Sequence, residues 1–138
     1  MHETSPAQGV VAIIPSAGRL LVIRRSRFVV APRAYCFPGG GLRAGESEEA
    51  AVVREVHEEL GVRAVAVKLV WRSVTPWNVP LAWWLANMTV AQRLNPNPLE
   101  VESVDWLTPG QIRELPELLE SNRHFLAAWE REEFQLPL

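Results

Sequence analysis

The chain has 138 residues, 48% of them hydrophobic and 22% charged, with a net charge of −2. This composition suits one folded domain over residues 1–138, excludes a disordered chain, and gives no pull toward nucleic-acid backbone or anionic membrane. Cys36 is the one cysteine, so an intrachain disulfide and a multi-cysteine metal site are both excluded, as suits a reducing cytoplasm.

The polar start MHETSPAQG lacks the basic-then-apolar pattern of a secretory leader, and no apolar run approaches the roughly 18 residues a membrane span needs. Val10–Pro15 and Leu20–Arg24 read as strands joined by a turn at Ser16–Gly18. Arg27–Ala31 continues in a β-rich manner to Pro32. Residues 34–47, AYCFPGGGLRAGES, hold four glycines and a proline and read as a loop. Glu48–Leu60 reads as the clearest helix, with Ser47 as N-cap, acidic residues in the first turn and Gly61 closing it. Val65–Val74 and Leu81–Val90 read as strands around the turn TPWNVP. A short strand near Val101–Leu107 follows the loop NPNPLE. The chain then ends in helical segments broken at Pro116. Strands alternating with helices predict an α/β fold.

The helix carries two patterns. Val52, Val53, Val56 and Leu60 form an apolar stripe that predicts a core-facing side. Glu55, Glu58 and Glu59 are spaced i, i+3, i+4, so their carboxylates converge on one patch of helix surface. Within the helix only Arg54 can offset them, and one cation does not balance three anions. Taken alone, EVHEE reads as a solvated acidic face. The loop before it changes that reading: Gly39, Gly40 and Gly41 allow backbone to approach the helix beside the carboxylates. Together they offer the all-oxygen surroundings that a hard cation such as Mg²⁺ takes.

The segment Gly40–Val62 resembles the signature of the Nudix hydrolase family. Its nine specified positions are all present, as Gly40, Glu46, Arg54, Glu55, Val56, Glu58, Glu59, Gly61 and Val62. The resemblance implies an α/β/α Nudix fold, a mixed β-sheet sandwiched between helices. It implies metal-dependent hydrolysis of a phosphoanhydride bond in a nucleoside diphosphate linked to another moiety. Mg²⁺ is the implied metal, with Mn²⁺ as a substitute. By the family pattern Glu55, Glu58, Glu59 and the Gly39 carbonyl hold metal, and Glu46 with Arg54 orients the cluster. The general base is either a box glutamate, Glu58, or a later-loop glutamate, with Glu100 matching the MutT-type position better than Glu102.

Substrate choice lies outside the signature. Thirteen of the fourteen basic residues are arginine, a planar fork suited to phosphate. Arg24, Arg25, Arg27, Arg33 and Arg43 crowd the glycine loop, and strand alternation leaves only one of Arg24 and Arg25 able to serve. Trp77, Trp83 and Trp84 are candidates to stack on a base, though such indoles are more often core. Asn122 resembles the MutT-type asparagine that reads a purine edge, or it caps the last helix. Pro76 and Pro80 fall off the position of the marker seen in ADP-ribose and dinucleoside polyphosphate hydrolases. Elimination thus favours a nucleoside triphosphate pyrophosphohydrolase. The alternatives are ADP-ribose, nucleotide-sugar or dinucleoside polyphosphate hydrolysis, or a non-catalytic binding module. Extended nucleic-acid or membrane binding is not expected, and a homodimer is compatible with the sequence.

Overall fold

The computed structural model describes residues 8–138; the polar start at residues 1–7 lies outside them. Four strands, β1 (Gly9–Ile13), β5 (Gly39–Gly41), β6 (Ala64–Val74) and β7 (Pro80–Met88), form a mixed sheet in the order β5-β1-β7-β6. Only β1 and β7 run parallel in it. A second, antiparallel sheet joins β2 (Pro15–Ser16), β3 (Arg19–Arg25) and β4 (Tyr35–Cys36), with β8 (Val101–Leu107) also paired to β3.

Strand alternation divides the interior into two cores. Val10, Ala12, Leu21, Ile23, Ala82 and Ala86 face helix α1 (Glu48–Leu60), packing on its Val52, Val56 and Leu60. Val11, Ile13, Leu20, Val22 and Trp83 point the other way, onto Ile112 of α2 (Pro109–Arg113) and Phe125 and Leu126 of α3 (Glu120–Glu130). Every residue of β1 is buried, as a strand covered on both faces requires. The result is the α/β/α layering that the sequence predicts. Among the described residues no helix is long and apolar enough to cross a membrane.

Three expectations need correction. The glycine run is not merely a loop: Gly39–Gly41 is a strand, with Val10 opposite Gly40 and Val11 opposite Gly39. A Cβ on Gly39 would run into the Val10 carbonyl, and one on Gly40 into the Glu55 carboxylate. Arg27–Ala31 is turn and bend rather than strand. Pairing of β3 with β8 slips at Arg24/Arg25, and Ala31 and Arg33 take left-handed backbone that breaks any ladder. Val53 is 37% exposed and lies off the core, whereas Glu55 and Glu59, on the other flank of the apolar stripe, are both buried.

The helical wheel accounts for the burial of the two glutamates. At roughly 100° per residue Glu59 stands only about 20° from Val52, and Glu55 about 60° from it, so the carboxylate stripe overlaps the apolar one. The helix ends match the sequence reading. Ser47 accepts from the Ala50 N–H at 3.1 Å, and Gly61 closes α1 at φ 68°.

Candidate active site

Strand β5 lies along the side of α1, so the three glycines and the box glutamates form one ridge. Arg54 is its organiser. Its guanidinium donates to both oxygens of Glu46 at 2.7 and 2.8 Å, to Glu55 at 2.8 Å, to Glu58 at 3.2 Å and to the Gly41 carbonyl at 2.9 Å. The fork geometry of Arg allows this many charge-assisted bonds from one side chain. The Arg54 bonds and the Arg43 N–H hold the Glu46 carboxyl down at about 2. Arg54 is the cation within the helix, and Arg43 from the loop before it also reaches Glu58, at 3.2 Å. Its place in the glycine loop was the available signal.

Glu59 is different. It is only 6% exposed, and the bond it accepts is from the neutral Gly39 N–H at 3.0 Å. Burial, then the charges of Glu55 and Glu100, push its proton affinity well above the ordinary carboxylate value. Burial raises Glu55 as well, against the pull of Arg54. Among the described residues no three His, Cys, Asp or Glu side chains gather tightly enough, as placed, to hold an ion. Glu55 and Glu58 instead turn to Arg54. The donor set still fits a hard cation: two buried carboxyls, Glu55 and Glu59, one turn apart on α1, lie within the field of Glu100, and Arg54 reaches Glu55 but makes no ion pair with Glu59. Cation binding would draw Glu55 and Glu58 partly away from Arg54.

The later-loop glutamates part company. Glu100 lies close enough to Glu55 and Glu59 to act on both carboxyls. Glu102 faces elsewhere, paired with Arg33 at 3.2 Å and Arg24 at 3.8 Å.

Beside the ridge opens a cleft of about 320 Å³, lined by Arg25, Phe37, Gly39–Gly41, Trp77, Leu81 and Asn122 among others. Arg25 is therefore the arginine of the pair that faces the cleft, its Nε steadied by the Val30 carbonyl at 2.7 Å. Arg24 is turned away, lying over the Tyr35 ring and pairing with Glu102 and Glu117. Trp77 stands 71% exposed at the cleft lip. Trp83, expected as a stacking surface, is instead fully buried, stacked on Phe125 at 4.6 Å with its indole N–H on Ser73. Trp84 donates to Glu48 and packs on the α1-side core. Asn122 does not cap α3, whose N-cap is Leu119. It is buried in the cleft wall, its Oδ1 accepting from the Phe37 N–H at 2.9 Å and its Nδ2 donating to Ser121. Cys36 lies in the same wall, and burial pushes its thiol up to about 11, so it is no nucleophile near neutrality.

Known proteins agree with this architecture. The chain matches the NUDIX domain family over residues 3–129. A MutT-like protein of Streptomyces ambofaciens is 34% identical over 116 residues, covering 83% of this chain and 69% of that protein. The NAD-capped RNA hydrolase NudC of Pseudomonas aeruginosa is 28% identical over 117 residues, 85% of this chain but 41% of the relative. The chain thus spans about two fifths of that relative's length. In fold it resembles the MutT protein from Methanosarcina mazei Go1, with a TM-score of 0.76 and 22% identity over 98% of this chain and 100% of that one. Fold and family match together define an α/β/α protein of the NUDIX domain class. The chain belongs to the Nudix hydrolase family.

Proposed function

We propose that this chain hydrolyses a phosphoanhydride bond in a nucleoside diphosphate linked to another group, and that the substrate is a nucleoside triphosphate. The observation that carries this reading is the continuity of the Gly39–Gly41 ridge with a single-nucleoside cleft. At about 320 Å³ the cleft is near the low end of ligand sites and has room for one nucleoside rather than two. Trp77 offers a face to the base, and Arg25 meets the phosphates.

Glu55, Glu58, Glu59 and the Gly39 carbonyl are the groups that would hold Mg²⁺. When bound, the cation supplies charge neutralisation for the diphosphate and polarisation at phosphorus. Arg54, braced by Glu46, keeps the carboxylates aligned. Glu100 takes a proton from the attacking water as its oxygen bonds to phosphorus. The bridging P–O bond breaks, and its electron pair leaves with the departing phosphate group. Asn122 has committed its oxygen to Phe37, so toward a base it has only an N–H to offer. It would therefore select an acceptor on the base edge.

Turnover of a panel of nucleoside triphosphates, ADP-ribose, dinucleoside polyphosphates and NAD, with products separated by chromatography, tests the reading. Triphosphates should be converted fastest. A second reading, pyrophosphate cleavage in a dinucleotide, draws support from the alignment with a protein named an NAD-capped RNA hydrolase. NAD converted faster than every triphosphate would establish it instead.

A further inference from the structure

Glu100 sits in a loop, yet nothing about its placement is loose. The loop is docked on the C-terminal end of α1: the Asn95 N–H donates to the Leu60 carbonyl at 2.8 Å and the Asn97 N–H to the Glu59 carbonyl at 2.9 Å. These bonds satisfy carbonyls that a helix end otherwise leaves open. They also tie Glu100 to the main chain of a ridge glutamate.

Two side chains complete the attachment. Asn97 accepts from the Leu99 N–H at 3.1 Å through Oδ1 and donates through Nδ2 to the Glu100 carboxylate at 3.3 Å. Its carbonyl accepts from the Glu100 N–H at 2.9 Å. Ser26, at the end of β3 and 3% exposed, grips the same peptides from the other side. Its N–H donates to the Glu100 carbonyl at 3.0 Å and its hydroxyl to the Leu99 carbonyl at 2.7 Å. A buried hydroxyl satisfied on a loop carbonyl 73 residues away is a specific, long-range tie.

We infer that Asn97 and Ser26 are positioning residues for Glu100, fixing its carboxylate against the Glu55–Glu59 ridge. The inference rests on the reading of Glu100 as the base. Asn97 reaches the carboxylate itself and orients it, leaving the other oxygen for water. Ser26 fixes the backbone from which that carboxylate projects. Neither residue is among those lining the nucleoside cleft, so the effect belongs to the chemical step and not to binding.

The test is a pair of double-mutant cycles on the full chain at saturating Mg²⁺, with the fastest nucleotide of the panel above. Asn97→Asp keeps the acceptor for the Leu99 N–H but replaces the donor to Glu100 with a second anion, so the loop's own bond is kept while the Glu100 carboxylate is turned away. Ser26→Ala removes the hydroxyl tie. Each should lower kcat by about 10–100-fold, the range for residues that hold a reacting group, with KM little changed. In a Glu100→Gln background neither should lower kcat further, because the group they position is gone. An equal drop in both backgrounds, or no drop in either, overturns the inference while the base assignment stands. Wild-type activity in Glu100→Gln overturns both together.

Discussion

Among the described residues Glu59 is a buried carboxyl with no ion-pair partner, and that makes its behaviour predictable. Its folded-state proton affinity is raised above the ordinary 4.5, so the folded state binds more protons than the unfolded chain over the interval between the two values. Metal-free protein should therefore lose stability as pH rises from about 4.5 toward neutrality. Glu59→Gln should flatten that loss and melt higher than wild type at neutral pH, while activity falls by orders of magnitude. Thermal melts of both proteins in chelator across that range check this, and superimposable curves would count against the assignment. The opposite case is Glu46. Arg54 holds its carboxyl at about 2, so its contribution is present above about 4.5 and is lost as pH falls toward about 2. Glu46→Gln should cost about 10–100-fold in activity by releasing Arg54, with a raised Mg²⁺ requirement. Full activity at unchanged Mg²⁺ would show that Arg54 needs no brace. Asn122 separates into two tests. Asn122→Ala leaves the buried Phe37 N–H unpaired, at a cost of about 1–3 kcal/mol, whereas Asn122→Asp keeps that acceptor and removes only the N–H donor. On the proposed reading both flatten preference among bases, but only the alanine variant melts markedly lower.

Element by element, what could be read from the sequence depended on how local its cause was. Helix α1 was legible in full, because Ser47, the acidic first turn and Gly61 act within a few residues. The long strands were legible from their β-branched and aromatic runs. The two bulges of β6, between Ala66 and Lys68 and between Leu69 and Trp71, were not, since register depends on the partner strand. Strand β5 was illegible for a related reason. Glycine has no strand preference, and Gly39–Gly41 pairs because β1 offers an edge, with the Val10 carbonyl leaving no room for a Cβ at Gly39 and Glu55 of α1 none at Gly40. The candidate site divides the same way: the box glutamates could be named, but not that two are buried, nor that Arg25 faces the cleft and Arg24 does not. A matched pair of substitutions tests the packing claim. Gly40→Ala places a methyl on the Glu55 carboxylate and should abolish activity in a folded protein. Gly110→Ala, in α2 with open space around it, should leave activity intact and stabilise by about 0.4–1 kcal/mol. Equal activities for the two variants would mean that β5 does not approach the helix as described.

At the scale of the whole molecule, the three layers bring together parts that lie far apart in the chain. Sheet β5-β1-β7-β6 sets the glycine strand against α1, while the β3–β8 pairing carries both Arg25 and the Glu100 loop to the same region. The α3 side closes the cleft with Asn122 and Leu119. On the proposed reading, a divalent cation bound here would couple these pieces by relieving repulsion among carboxylates contributed by the helix and the loop. Addition of Mg²⁺ should thus raise the melting temperature of wild type at neutral pH and do little for Glu59→Gln. The most direct test of the account is turnover of nucleoside triphosphates by the purified chain, with Mg²⁺, with chelator, and with Mg²⁺ restored in excess. The expected result is hydrolysis at a phosphoanhydride bond, its loss in chelator and its recovery with Mg²⁺, all absent in Glu59→Gln. Undiminished hydrolysis in chelator, or by Glu59→Gln, would contradict it.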